Sequence, residues 1–177
     1  MRTLIAAALV AAALPAFASD EMGGARTTAP DKGVMADMAK KHVDVSDIDL
    51  QASKLYVNGI FDLAQKASTW DKDHATALFN DAQRSVTEAE VHLGHLADMA
   101  VANNVANANT SLAKARTDLV NTESMMKALA TPIKNGSGDP ASIQRQSKDI
   151  LSALDDAQKN LESGASDLKV DYKLKSP

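Results

Sequence analysis

The sequence contains no cysteine among its 177 residues, and aromatic residues make up only 3% of it. The lack of cysteine excludes a disulfide framework, a cysteine-ligated zinc site, a thiol nucleophile and the attachment motif of a c-type haem. Positive charge is not in excess either, because 23 acidic residues outnumber 19 lysines and arginines and give a net charge of −4. We therefore expect no nucleic-acid partner, since proteins that bind nucleic acids usually present a basic face.

Alanine is the residue present in excess, with 32 copies against 17 of leucine. Hydrophobic residues make up 45% of the chain, whereas there are only 8 glycines and 5 prolines. This composition is too apolar for a wholly disordered chain and is typical of helices. A chain of this length is expected to form one domain with a single core.

Residues 1–18 have the features of a cleaved secretory signal peptide. Arg2 supplies the positive start, Leu4–Leu14 is an uninterrupted apolar run, and Ala16-Phe17-Ala18 matches the small-x-small cleavage pattern. The apolar run is shorter than the roughly 20 residues that span a bilayer, and no later stretch is long enough. We predict an exported protein without a transmembrane segment, which is periplasmic in a Gram-negative bacterium and secreted elsewhere.

The mature chain is predicted to have three parts. Residues 19–45 form a flexible leader, in which residues 20–31 are disordered and Asp31 can cap a short helix that runs to about Lys41. Residues 46–170 form a helical domain, and residues 171–177 form a frayed tail. Within the domain, Ser46 and Asp49 resemble a capping box, which predicts a helix from Asp47 to about Ser68. The predicted apolar face of this helix is Ile48, Ala52, Leu55, Ile60, Leu63 and Ala67.

A second helix is predicted from about Trp70 to Val105. Its heptad-like seam changes register at Val101, within an asparagine-rich stretch. We therefore place a turn between Asn103 and Thr110, and the alternative is one helix from Trp70 to Ala130. The seam residues on the two sides of the turn are Leu78 or Phe79, Ala82, Val86, Ala89, Leu93, Leu96 and Ala100, and then Val101, Val105, Ala108, Leu112, Ala115, Leu119, Thr122, Met126, Leu129 and Ile133.

The segment Thr131–Pro140 is predicted to be a loop, because Asn135-Gly136 favours a positive φ and Asp139-Pro140 is a helix-start signal. The last helix follows, with the seam Ile143, Ser147, Ile150, Leu154, Ala157, Leu161 and Leu168. Four helices joined by short loops predict an all-α, antiparallel up-down-up-down four-helix bundle. Alanine on the seams lets helices approach closely but buries little surface per layer, so long helices, and dimerisation if it occurs, must supply the stability.

A stripe of polar and metal-ligating residues lies about 100° around the second helix from its apolar seam. Glu88, His92 and His95 follow one another at spacings of four and three, so one divalent ion can reach all three. Imidazole with carboxylate suits zinc, copper or nickel, and a methionine would favour copper(I). The candidate ligands are His74, Glu88, His92, His95 and Met99.

Other interpretations of this stripe stay open. Polar residues also belong on the solvated or inter-subunit face of any bundle. A b-type haem between a histidine such as His42 and a methionine has ligands available but no specific motif. A ferritin-like di-iron centre is excluded, because Glu88 and His92 do not have the Glu-x-x-His spacing and no second copy exists.

No catalytic motif is present: the sequence has no glycine-rich phosphate loop and no Gly-x-Ser-x-Gly. We therefore predict a non-enzymatic protein. The first functional hypothesis is a binding or interaction role, with a protein partner or with itself as a homo-oligomer. The alternative is a zinc, copper or nickel binding protein for metal buffering or sensing, which uses the stripe on the second helix.

Overall fold

The computed structural model describes residues 32–66, 70–136 and 138–172. The predicted signal peptide, the start of the leader and most of the tail lie outside these ranges. The described part of the chain contains four helices and no strand, which confirms the all-α prediction. The helices are α1 (Lys32–Gln65), α2 (Lys72–Ala102), α3 (Ala106–Asn135) and α4 (Pro140–Asp167).

The four helices pack around one core. α1 contacts α2 and α4, and α3 contacts the same two helices from the other side. The core contains many alanines, and its largest fully buried side chains are Phe79, Leu50, Ile60, Leu93, Leu96, Leu112, Leu119, Met126, Leu129, Ile133, Ile143 and Ile150. Within the described ranges, no helix combines the length and the apolar character needed to cross a membrane.

α1 begins at Lys32 and continues through Ser46, so the predicted short helix and the predicted helix from Asp47 are one element. The predicted cap does not form, because Ser46 and Asp47 are buried against the rest of the bundle. The two carboxylate oxygens of Asp47 accept hydrogen bonds from Gln158 of α4 and from Gln51, one turn later in α1. A residue that looked like a helix start in sequence is therefore an interior packing residue.

The apolar face predicted for α1 is wrong in part. Ile48 and Leu55 are 57% and 69% exposed, whereas Val43, Leu50 and Val57 are fully buried. Ile60, which also belongs to the predicted face, is fully buried, and Ala67 lies outside the described residues. The heptad of the true core face is interrupted by two buried serines, Ser46 and Ser53, and polar residues at core positions hide the periodicity from a search for apolar residues.

α2 and α3 are separate helices, as predicted, and the alternative of one continuous helix is wrong. Asp71 caps α2 by accepting a hydrogen bond from the backbone N–H of His74. Asn104 has a φ of 55° in the turn that follows Ala102, a conformation that asparagine tolerates better than most residues. The predicted seams are buried from Phe79 to Ala100 and from Ala108 to Ile133, although Val101 is 61% exposed.

The predicted loop before α4 is shorter than expected, because α3 continues to Asn135 and includes Pro132. A proline in the last turn removes only one helical hydrogen bond, and the fully buried Ile133 anchors that turn. Gly136 ends the helix with a φ of 64°, and its N–H donates to the carbonyl of Ile133. The predicted start of α4 is confirmed: Asp139 caps the helix and Pro140 is its first residue.

Candidate metal centre

α1 brings a third histidine against the pair on α2. The Nδ1 atoms of His42 and His92 are 3.0 Å apart, within hydrogen-bond distance. The ring centroid of His42 lies 5.2 Å from that of His92 and 5.0 Å from that of His95. His42 and His92 are half-buried, and His95 is exposed. We call these three residues the histidine cluster.

The cluster forms because heptad positions of α1 face the stripe on α2. Met35, His42 and Asp49 are spaced by seven residues on α1 and therefore share one side of that helix. Towards the C-terminus of α1, successive residues on this side lie opposite residues that are successively nearer the N-terminus of α2. Three successive layers result. In the first, Met35 and Met99 line one cavity, and in the second, His42 contacts His92 and His95. In the third, the carboxylate of Asp49 interacts electrostatically with Glu88 and His92.

The environment of His42 keeps its imidazole neutral. Burial lowers the pKa of His42 below its ordinary value of 6.5, and the positive charges that His92, His95 and Lys41 can carry lower it further. Three imidazoles in contact cannot all be protonated without repulsion. The neutral ring is the form that binds a metal ion, so the lowered pKa favours the ligating form of His42 near neutral pH.

A carboxylate with an unsatisfied oxygen lies next to the histidine cluster. The Oδ2 atom of Asp49 is buried and has no hydrogen-bond partner among the described residues. Burial and the negative charge of Glu88 raise the pKa of Asp49, while the positive charge that His92 can carry lowers it. A buried oxygen without a partner is costly. A cation bound here would give the Oδ2 atom a partner and reduce the repulsion between Asp49 and Glu88.

The five candidate ligands predicted from the sequence do not all lie together in the structure. His92 and His95 lie in the cluster, and Glu88 is exposed one turn before His92. Met99 is half-buried one turn after His95 and lines a cavity. His74 is exposed at the start of α2, about 27 Å along the helix from His92 at 1.5 Å per residue, and cannot share an ion with it.

His42 was not proposed as a divalent-metal ligand from the sequence, because it fell in the predicted flexible leader. The available signal was the heptad spacing of Met35, His42 and Asp49, which matches the seven-residue spacing of Glu88 and His95. Asp49 was interpreted as part of a capping box and its role beside Glu88 was also missed. Recognising either residue required the start of α1 to be placed at Lys32.

Two nitrogens of the histidine cluster are separated by nearly the distance that a shared zinc ion requires. Two nitrogens bound to one tetrahedral zinc ion are about 3.3 Å apart, given zinc–nitrogen bonds of about 2.0–2.1 Å. The 3.0 Å separation between the Nδ1 atoms of His42 and His92 is near this value. In the described ranges, however, no three His, Asp or Glu side chains are arranged to hold a metal ion as they stand. Binding would require rotation of the imidazole rings, which the exposure of His95 permits.

Comparison of the chain with protein-family models, with curated proteins and with solved structures gives no match.

Proposed function

We propose that this protein is an exported, non-enzymatic, antiparallel up-down-up-down four-helix bundle that binds a divalent transition-metal ion between α1 and α2. The observation that carries this proposal is the convergence of His42 on His92 and His95. The stripe on α2 alone is compatible with a solvated helix face. A histidine from a second helix is the ligand that a stripe on one helix lacks.

The donor set determines the class of metal. Imidazole nitrogens suit zinc, copper and nickel, and among these divalent ions copper is generally bound more tightly than nickel or zinc. Asp49 and Glu88 supply carboxylate oxygens one or two turns away, as a further ligand or as partners that orient the rings. The sequence has no catalytic motif, so buffering or sensing of the ion fits this chemistry better than catalysis.

The proposed export depends on the sequence of residues 1–18, with its positive start, apolar run and small-x-small cleavage pattern. An exported protein without cysteine must bind a transition metal through histidine, methionine or carboxylate. The three side chains of the histidine cluster meet this requirement.

Isothermal titration calorimetry of the mature protein with Zn²⁺ and Cu²⁺ tests the proposal. We expect one ion per chain, and we expect His42→Ala to weaken binding by roughly 10- to 100-fold, as loss of a ligand or its partner commonly does. His92→Ala and His95→Ala should act in the same direction. Lowering the pH below about 6 should weaken binding by the wild type, because protons compete for the imidazoles.

His74→Ala is the matched control, because it removes an exposed histidine of the same helix that lies far from the cluster. It should leave the affinity unchanged. Binding weaker than about 100 µM in the wild type, or equal losses in His42→Ala and His74→Ala, would reject the site in favour of adventitious surface histidines.

Self-association is a second candidate function, and it is compatible with the first. Ile48 and Leu55 lie seven residues apart on α1 and are 57% and 69% exposed, which places two large apolar side chains on one outer face of the helix. A second copy of the chain would bury them. Light scattering should then show a dimer that Ile48→Lys with Leu55→Lys converts to a monomer, and a wild type that is monomeric at high concentration would exclude it.

A further inference from the structure

A cavity lies at the end of the bundle where α1 begins and where α2 and α4 end. Its volume is about 380 Å³, and it is lined by Met35 and Ala39 of α1, by Met99 of α2 and, at the end of α4, by Asp167, Leu168 and Lys169. Two methionines from different helices therefore face one open space. We call this space the methionine cavity.

The methionine cavity continues the histidine cluster along the same two helices. Met35 precedes His42 by seven residues on α1, and Met99 follows His95 by four residues on α2. Side chains at these spacings lie on the same side of a helix, so each methionine lies on the helix side that carries the histidines. Along α1 and α2 the donors change from thioether to imidazole to carboxylate.

These methionines differ from one that fills the core. Met126 is 1% exposed and packs fully inside the bundle, which is the usual structural use of methionine. Met35 and Met99 are half-buried and line the methionine cavity, although Met99 also packs against the core. Thioether sulfur is a soft donor that selects copper(I) over harder ions such as zinc(II).

We propose that Met35 and Met99 hold a copper(I) ion at the methionine cavity, with the imidazole of His95 as a third ligand. His95 does not line the cavity, but it is exposed and lies one turn before Met99 on α2, so rotation of its side chain would bring the ring from the histidine cluster towards Met99. The inference rests on the proposed function in this one respect, because His95 is shared. The other two ligands are separate from the divalent site.

Competition with a chromophoric copper(I) chelator, bicinchoninate, under anaerobic conditions tests the proposal on the full mature chain. The double variant M35L/M99L should bind copper(I) roughly tenfold or more weakly than the wild type. Its affinity for Zn²⁺, measured by calorimetry, should not change. Leucine is close to methionine in volume, so the fold should be retained, and thermal unfolding followed by circular dichroism checks this.

M125L is the matched control, because Met125 is a half-buried methionine on α3 that does not line the cavity. It should alter neither copper(I) nor Zn²⁺ binding. Copper X-ray absorption of the wild type should show sulfur ligands, and M35L/M99L should lose them.

Equal copper(I) affinity in the wild type and in M35L/M99L would overturn the thioether site, even where Zn²⁺ binding by the histidines stands. Conversely, no Zn²⁺ or Cu²⁺ binding together with methionine-dependent copper(I) binding would reject the proposed divalent site and support the thioether site. The two failures are therefore distinguishable.

Discussion

A single residue, His42, changes the chemistry available to α2. Without it, His92 and His95 are two imidazoles on the flank of a helix, where polar residues are expected. With it, three imidazoles meet between two helices, and the Nδ1 atoms of His42 and His92 are 3.0 Å apart. Single residues also determine the packing of the helices, and alanine substitutions at two glycines are expected to change the stability in opposite directions.

Gly164→Ala should destabilise the protein. A Cβ atom at this position of α4 would lie 2.7 Å from Cγ and 2.8 Å from Cδ2 of Leu112, which is fully buried. Overpacking of a core commonly costs about 1–3 kcal/mol, so we expect a loss of that size in the free energy of unfolding, measured by urea denaturation.

Gly94→Ala should have the opposite effect. A Cβ atom at this position, in the middle of α2, would have no neighbour within 4 Å. Removing the conformational freedom of glycine from a helix interior should stabilise the protein by about 0.5–1 kcal/mol. A loss of stability in Gly94→Ala, or a gain in Gly164→Ala, would show that α2 and α4 do not pack as described.

At the scale of elements, α1 and α4 are joined by a buried polar network. Asp47 is 2% exposed and accepts hydrogen bonds from Gln51 at 2.7 Å and from Gln158 at 2.6 Å. Lys54 donates to Gln158 and pairs with Asp155 at 2.5 Å. The network fixes which faces of the two helices meet, because each buried amide or carboxylate needs its partner.

Asp47→Ala should lower the free energy of unfolding by about 1–3 kcal/mol, because it removes the carboxylate that accepts a hydrogen bond from the buried side-chain amide of Gln158. Asp155→Ala is the control, since it removes a 56% exposed carboxylate from the same network and should cost at most about 1 kcal/mol. Urea denaturation of both variants checks the prediction. Similar losses in the two variants would contradict the buried role of Asp47.

Tyr172 makes the same interface sensitive to alkaline pH. Its hydroxyl is buried, and burial together with the neighbouring Asp47 raises the pKa of Tyr172 above its ordinary value of 10. The folded state therefore holds the phenolic proton more tightly than the unfolded state, and stability is lost as the pH rises above 10. The wild type should lose stability above about pH 10 more steeply than Tyr172→Phe, and parallel curves would contradict this.

The sequence predicted α2, α3 and α4 closely, because the seams of all three are apolar and because α2 and α4 begin at standard capping residues. Asp71 and Asp139 cap α2 and α4, and the buried positions of α3 repeat at heptad spacing. α1 was misplaced because Ser46 and Ser53 lie in its core and Ile48 lies outside it. Half of the candidate site was lost with it, since His42 and Asp49 belong to α1.

At the scale of the whole molecule, the proposed metal ion between α1 and α2 should cross-link the two helices and stabilise the fold of a chain that has no disulfide. The core contains many alanines, which bury little apolar surface per residue. An ion that binds only the folded state adds stability according to its concentration, about 2.7 kcal/mol when it is present at 100 times its dissociation constant.

Zinc should therefore raise the melting temperature of the wild type and leave that of His42→Ala with His92→Ala unchanged. His74→Ala should respond like the wild type. Differential scanning calorimetry with and without Zn²⁺ measures these shifts. An equal rise in the wild type and in the double variant would show that zinc stabilises the protein from another position.

The most direct test of the central claim is an anomalous difference map from crystals of the zinc complex. We predict one strong peak between α1 and α2, with nitrogens of His42 and His92 and at least one of His95, Asp49 or Glu88 as ligands, at about 2.0–2.2 Å. Absence of a peak at this position, or a peak held by His74 and a lattice neighbour alone, would contradict the account.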